Sequence, residues 1–249
     1  MTEPRVLTQT ATLTEQEWLE WRRRGLGGSD IAAACSISRY KTALELWLEK
    51  TGQVEPKPAG ESAYWGRAFE PIIRAEFEKR TGIQVKTTNV ILQHRELDFL
   101  LSSVDGILID PQYGKCIFEA KTANAYAKGE WENNDIPPEY MLQVQEYMAV
   151  TGYAAAHVAC LVGGQKFIHK VIPRDEETIS MIIKLCSHFW FHVLRRVPPE
   201  MDGSDAAAKL LDRLYPQSQK TSIILPTDAD DLVQEYLAGK ETEEAGKLK

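Results

Sequence analysis

Glu119 and Lys121 stand in the segment Cys116-Ile117-Phe118-Glu119-Ala120-Lys121. On a strand alternate side chains share a face, so this segment would project an acid and a base together while Phe118 and Ala120 point the other way. Fourteen residues before Glu119, Asp105 lies in Ser103-Val104-Asp105-Gly106, and a turn at Asp110 to Gly114 folds its strand back against that of Glu119. Three oxygens would then converge: the carboxylates of Asp105 and Glu119 and the backbone carbonyl of Ala120. Such a set suits a hard cation such as Mg²⁺, which takes oxygen ligands and keeps waters in its other positions. Metal binding brings the pKa of such a water toward neutrality and polarises a phosphate, the chemistry of phosphodiester hydrolysis without a covalent intermediate. Lys121 would orient the water and offset charge on the attacked phosphate. Whether it also accepts a proton turns on a pKa set by the folded surroundings.

A second chemical signal lies upstream. Gly27-Gly28-Ser29 precedes Asp30, and glycines at the start of a helix give an anion access to unpaired backbone amides. Ser29 is a good N-cap. Asp30 would compete with a phosphate there, so it is expected to cap locally or to bond with Arg22. Each signal also has a plainer reading. An E-x-K on a strand is commonly a solvated face, Asp-Gly is a favoured hairpin dipeptide, and Gly-Gly-Ser is commonly a loop with an N-cap. Gln143 and Gln145 point to different sides of a helix, so at most one faces the site. Trp18, Trp47, Trp65 and Trp190 occur at helical spacings beside aliphatic residues and read as core. His157, His169, His188 and His192 show no spacing that joins them to the carboxylates.

The elements that must position these residues can be read in order. Residues 1–13 form a flexible N-terminus, after which Thr14 and Glu17 make a capping box opening a helix through Arg24. Asp30 to Cys35 and Thr42 to Thr51 are further helices, and Pro56 to Gly60 is a linker. A long helix covers Glu61 to Arg80 with Gly82 at its C-cap. The pattern then changes to period two: Ile83 to Leu92, Phe99 to Val104, Ile107 to Ile109 and Lys115 to Thr122 read as a meander. A polar stretch from Asn124 to Asp135 leads to Pro137 and Pro138 and a helix ending at Gly152. Ala155 to Val162 and Lys166 to Ile172 flank Gly163-Gly164, a two-residue hairpin signal. Pro173 starts a long helix to Val197, giving a catalytic domain over 14–200. Residues 201–249 read as a helical extension for oligomer or partner contact: a helix at Asp205 to Leu214, a short strand at Ser222 to Leu225 and a helix at Asp228 to Ala238. The fold class is α/β, with a central mixed sheet flanked by helices.

At 249 residues and 43% hydrophobic, the chain is long enough for one sizeable core. No run approaches the roughly 20 apolar residues of a membrane span, and no signal peptide precedes the first helix, so a cytoplasmic protein without membrane contact is expected. Cys35, Cys116, Cys160 and Cys186 form no C-x-x-C pair and read as reduced core residues, against both a zinc site and an iron–sulfur nuclease. The net charge of −7 excludes a broad basic coat for nucleic acid. It is compatible with a nuclease that concentrates carboxylates at its centre and holds DNA through a few local cations and its metals.

Asp105, then Glu119-Ala120-Lys121, with Gly66-Arg67-Ala68-Phe69-Glu70 on an upstream helix and Gln143-Val144-Gln145-Glu146-Tyr147 on a downstream one, resembles the PD-(D/E)xK nuclease superfamily. More closely the chain resembles the lambda exonuclease / YqaJ-like viral recombinase family, over roughly Trp18 to Val197. The resemblance implies a restriction-endonuclease-like core. It implies that Glu70 supports a pair of metal ions, Mg²⁺ or Mn²⁺, with Asp105, Glu119 and Ala120, and that Lys121 and Gln143 complete the catalytic set. Arg22 and Ser29 match residues that hold the 5′-phosphate of a DNA end, with Trp18 in the same segment. Ser103 matches a further phosphate contact, and Tyr140 with Gln143 matches the Tyr-x-x-Gln-x-Gln signature. Val104 departs from the pattern, replacing the superfamily's proline with loss of rigidity rather than of a ligand. The implied activity is 5′→3′ degradation of one strand of linear double-stranded DNA, leaving a 3′ single-stranded tail. The implied context is a phage or prophage protein in a bacterial cell, a closed homotrimer working beside a single-strand annealing protein. Two rivals are an endonuclease with the same metal site and a non-catalytic module that binds DNA ends.

Overall fold

The computed structural model describes residues 3–58, 60–131, 136–217 and 229–247. The elements in chain order are β1 (Arg5–Gln9), α1 (Glu15–Arg23), β2 (Leu26–Gly27), α2 (Gly28–Ala34), α3 (Ala43–Lys50), α4 (Glu61–Thr81), β3 (Val85–Thr87), β4 (Val90–Gln93), β5 (Leu100–Ser102), β6 (Gly106–Asp110), β7 (Gly114–Ala123), a 3₁₀ segment (Ala125–Trp131), α5 (Pro138–Thr151), β8 (Ala155–Val162), β9 (Lys166–Pro173), α6 (Glu176–Arg195), α7 (Asp205–Leu214) and α8 (Ala229–Lys247).

The central mixed sheet is five-stranded, in the order β3-β6-β7-β8-β9. All its pairings are antiparallel except β7 with β8, where Glu119 stands beside Val158 and Lys121 beside Cys160. A parallel neighbour requires a crossover, and here the chain makes it through the 3₁₀ segment and α5. Strand alternation sorts the core into two layers. Phe118, Cys116, Ala155 and Ala159 face Ile73 and Phe77 of α4. Ile117, Ala156, Val158 and Cys160 face Val144, Tyr147 and Met148 of α5 and Ile179 of α6. A third cluster joins α2, α3 and α6 through Ile31, Leu46, Trp47, Ile182 and Phe189.

The meander is divided between two sheets. β1, β4, β5 and β2 form a separate four-stranded sheet, so Ile83 to Leu92 is two strands rather than one. The break at Thr88 and Asn89 is held by long-range bonds: Thr88 Oγ1 donates to the Val104 carbonyl at 2.7 Å and the Thr10 amide to the Asn89 carbonyl at 2.7 Å. The N-terminus expected to be loose instead supplies β1, which pairs antiparallel with β4 from Arg5 opposite Gln93 to Gln9 opposite Val90. The expected capping box at Thr14 and Glu17 opens α1. Gly82 and Gly152, both left-handed at φ 73°, end α4 and α5. The hairpin of β8 and β9 pairs Val162 with Lys166, so its turn has three residues, Gly163-Gly164-Gln165, rather than two.

The chain forms two compact units, Met1–Leu210 and Leu211–Lys249. The first extends past the expected boundary at residue 200, because Ala206, Ala207 and Leu210 are buried. The second contains α8, whose Leu232, Val233, Tyr236 and Leu237 are exposed. The expected strand at Ser222 to Leu225 lies outside the described residues, as does Asp135 at the end of the polar stretch. Among the described residues no helix is long and apolar enough to cross a membrane.

Candidate active site

β6 begins at Gly106 opposite Phe118, so two residues further along β7 the edge facing β6 has no strand beside it. Asp105 fills the gap: its Oδ2 accepts the Ala120 amide at 2.8 Å. The N–H and C=O of one strand residue point to the same edge, which brings the Ala120 carbonyl to Asp105's side of β7. Glu119, adjacent on the strand, is buried against α5. Its Oε1 accepts from Lys121 Nζ at 2.6 Å and from Gln143 Nε2 at 2.8 Å, while Lys121 Nζ also donates to Gln143 Oε1 at 3.0 Å. Gln143 Nε2 in turn lies 2.7 Å from the Tyr147 hydroxyl. The Lys121 ammonium sits 4.8 Å from the centre of the Tyr140 ring, a cation–π contact.

The electrostatics are those of crowded acids. Burial, then the neighbouring Asp105, pushes Glu119 up to about 8, against the lowering influence of Lys121. Burial raises Asp105 despite the lowering influence of Lys121, the Ala120 amide and Glu119. Glu70, on α4 and only partly buried, is raised by burial and by Asp105. Lys121 is itself raised: Glu119 and Asp105 outweigh the burial that would lower it. The structure therefore favours a charged Lys121 rather than a depressed, proton-accepting amine.

Glu119 Oε2 is buried without a hydrogen-bond partner. A carboxylate oxygen withdrawn from water and left unpaired is costly, and a metal ion beside it would supply the partner that this oxygen lacks. A cavity of about 420 Å³ opens here, lined by Arg67, Glu70, Asp105, Glu119, Ala120 and Lys121. Among the described residues no three His, Cys, Asp or Glu side chains stand close enough to enclose a metal by themselves. The sparse set suits Mg²⁺, which binds through one or two carboxylates and retains several waters. Asp105, Glu119 and the Ala120 carbonyl could hold it, with Glu70 across the cavity.

The upstream residues gather in an adjoining cavity of about 450 Å³, lined by Trp18, Arg22, Ser29, Ser103 and, shared with the first, Arg67, Glu70 and Asp105. Arg22 Nη2 bonds both Ser29 Oγ at 2.9 Å and Asp30 Oδ1 at 2.8 Å, and its guanidinium lies 4.8 Å over Trp18. Asp30 does both things expected of it, since its Oδ2 also caps the Gly27 amide at 3.2 Å and accepts from Lys50 Nζ at 2.7 Å. Burial would raise Asp30, but Arg22 and Lys50 outweigh it and hold the carboxyl well below the usual range. The helix starts two residues earlier than expected, with Gly27 rather than Ser29 at the N-cap. Ser103 is exposed on the cavity wall, 3.4 Å from the Val90 carbonyl.

Gln145 turns away, bonding Pro173 and Asp175, so only Gln143 of the two faces the site. Of the tryptophans read as core, Trp47 is buried but Trp65 is half exposed. His157 and His169 stack on the α4 face of the sheet, apart from the carboxylates. Cys116, Cys160 and Cys186 are buried and Cys35 partly so, all as free thiols.

Three residues play parts that the sequence reading did not assign to them. Tyr147 anchors Gln143, and its signal was the full Gln-x-Gln-Glu-Tyr run. Gly28 allows the close approach of α2 to α5: a Cβ there would stand 2.5 Å from Tyr147 Cε1 and 2.8 Å from Gln143 Cγ. Lys50 holds Asp30, and nothing in its local sequence marks it.

The profile of the YqaJ-like viral recombinase domain matches residues 17–154, a span that includes every one of these residues. The uncharacterized protein YqaJ of Bacillus subtilis (strain 168) is 41% identical over 241 residues, covering 95% of this chain and 75% of that protein. Among solved structures, the alkaline exonuclease LHK-Exo of Laribacter hongkongensis superposes with a TM-score of 0.63 at 21% identity, over 73% of this chain and 94% of that one. A phage-related exonuclease from Haemophilus somnus 129PT superposes with a TM-score of 0.52 at 12% identity, over 72% and 98%. At these identities the structures establish a shared nuclease fold.

Proposed function

The chain belongs to the YqaJ-like viral recombinase domain family, and from that premise we propose that it is a Mg²⁺-dependent exonuclease degrading one strand of linear double-stranded DNA from a 5′-phosphorylated end. The observation that carries the reading is the buried Glu119 beside a partly buried Asp105, both raised, with Glu119 Oε2 unpartnered near a cationic Lys121. Mg²⁺, or Mn²⁺ in its place, would be held by Asp105, Glu119 and the Ala120 carbonyl, with Glu70 supporting a second ion; bound there it supplies an activated water and polarises the phosphate. Lys121, fixed by Glu119 and Gln143, places positive charge where the attacked phosphate becomes more negative. Gln143 keeps Lys121 and Glu119 in register and is itself fixed by Tyr147. Arg22 and Ser29, with Ser103 on the same cavity wall, take the terminal 5′-phosphate. Asp30 holds Arg22 in place and removes most of its freedom before DNA arrives.

A 3′ single-stranded tail is the product of this polarity and the substrate of annealing recombination. The closed homotrimer, the single-strand annealing partner, the phage or prophage origin and the cytoplasmic location belong to the same reading. Digestion of linear duplexes labelled at either end, with and without 5′-phosphate, tests it. The reading expects nucleotides from the 5′-phosphorylated strand in Mg²⁺ and none in chelator. Nicking of covalently closed circles would replace it with an endonuclease, and no release under any condition with a non-catalytic end binder.

A further inference from the structure

The two cavities described above meet at three residues, Arg67, Glu70 and Asp105. Two of these are acids. Arg67 is exposed on α4 three residues before Glu70, so both side chains lie on one face of the helix. The other cations of these walls are engaged: Arg22 by Ser29 and Asp30, Lys121 by Glu119 and Gln143. Arg67 has no ion pair or hydrogen bond among the described residues, even with Glu70 one turn away. An unpaired guanidinium at the junction of a candidate phosphate pocket and an acidic centre has a clear electrostatic use. DNA joining the two cavities must carry a phosphodiester past Glu70 and Asp105, and the planar fork of Arg67 matches its two non-bridging oxygens.

We infer that Arg67 is a DNA-contacting residue that grips the phosphodiester linkage running from the 5′-phosphate cavity to the acidic centre. The inference rests on the nuclease reading for its ligand. Arg67 would offset the repulsion between that linkage and the two carboxylates and so fix which bond reaches Asp105 and Glu119. Arg22 recognises the end of the strand; Arg67 sets the register behind it.

The test is a binding cycle in Ca²⁺, with a 5′-phosphorylated duplex whose first or second linkage is either native or a neutral methylphosphonate. Arg67→Ala should weaken binding of the native duplex about 10- to 100-fold, the loss of one charge-assisted bidentate contact. The slope of log affinity against log salt should fall by about one. One of the two neutral linkages should weaken wild-type binding and leave Arg67→Ala unaffected, because the partner of that charge is already gone. Arg67→Lys should recover part of the loss, and Lys79→Ala, on the last turns of the same helix, should change nothing. The inference is overturned if Arg67→Ala binds within about twofold of wild type, or if the losses from the variant and from each neutral linkage multiply in full. Release of nucleotides in Mg²⁺ is measured separately on the wild type. Its absence would sink the nuclease reading while leaving the binding cycle to decide on Arg67.

Discussion

Replacing Asp30 by Asn should destabilise the protein by about 3–5 kcal/mol, the usual cost of breaking a buried ion pair from one side. The magnitude follows from what remains. Asp30 and Lys50 side chains are 2% and 4% exposed and pair at 2.7 Å, so the Asn variant removes the countercharge and leaves a buried ammonium with neutral acceptors alone, the Arg22 carbonyl at 2.6 Å and the Asn amide oxygen. Arg22 is 33% exposed and can turn to water, so the penalty falls mainly on Lys50. Urea unfolding followed by tryptophan fluorescence and circular dichroism would read it. With a slope of about 3 kcal/mol per molar, the midpoint should fall by about 1 M or more. The double variant Asp30→Asn, Lys50→Met removes the stranded charge and should recover most of the loss, because apolar groups of similar volume replace buried ion pairs at little cost. A single-variant cost below about 1 kcal/mol, or a double variant no better than the single, would refute the reasoning.

Three further outcomes are expected. Gly28→Ala forces α2 away from Tyr147 and Gln143 and should cost about 1–3 kcal/mol, with a loss of nuclease rate larger than for alanine at an exposed helix position; equal rates would contradict the packing. Gln143→Ala frees Lys121 and Glu119 and should lower kcat about 10- to 100-fold with little change in KM, checked by steady-state kinetics on a 5′-phosphorylated duplex. His169 is held down to about 4 by burial and then by His157, with Asp110 opposing. Its contribution to stability is therefore complete above about 6.5, the ordinary value, and is lost as pH falls toward 4. Allowing for its partial exposure, His169→Gln should flatten an acid-side loss of no more than about 2 kcal/mol between those values, read from urea midpoints.

The strand that carries Glu119 and Lys121 was legible because its information is local. Alternation alone places Glu119 and Lys121 on one face and Phe118 on the other, and the turn at Asp110 to Gly114 returns Asp105 to the Ala120 amide. The same holds for Gly82 and Gly152, whose left-handed conformations end their helices. What escaped depends on partners distant in sequence. β1 exists because Arg5 to Gln9 meets β4 some eighty residues on, and an isolated pentapeptide carries no sign of that partner. The split of Ile83 to Leu92 between two sheets depends on Thr88 and Asn89 bonding Val104 and Thr10. Trp65 looked like core by its spacing, yet that part of α4 borders the open cavities, and its indole bonds Glu61 at 2.9 Å instead of packing inward. Ser29 looked like a cap until Asp30 reached back to Gly27, a choice that the close approach of Gly28 to α5 makes for it.

The most direct test of the central claim is a crystal of the protein soaked in Mn²⁺ and measured for anomalous scattering. The account predicts a peak within about 2.2 Å of a carboxylate oxygen of Asp105, of Glu119 Oε2 and of the Ala120 carbonyl, abolished in Glu119→Ala. A protein that cleaves DNA in Mn²⁺ while the ion sits elsewhere, or that keeps the peak in that variant, would contradict it.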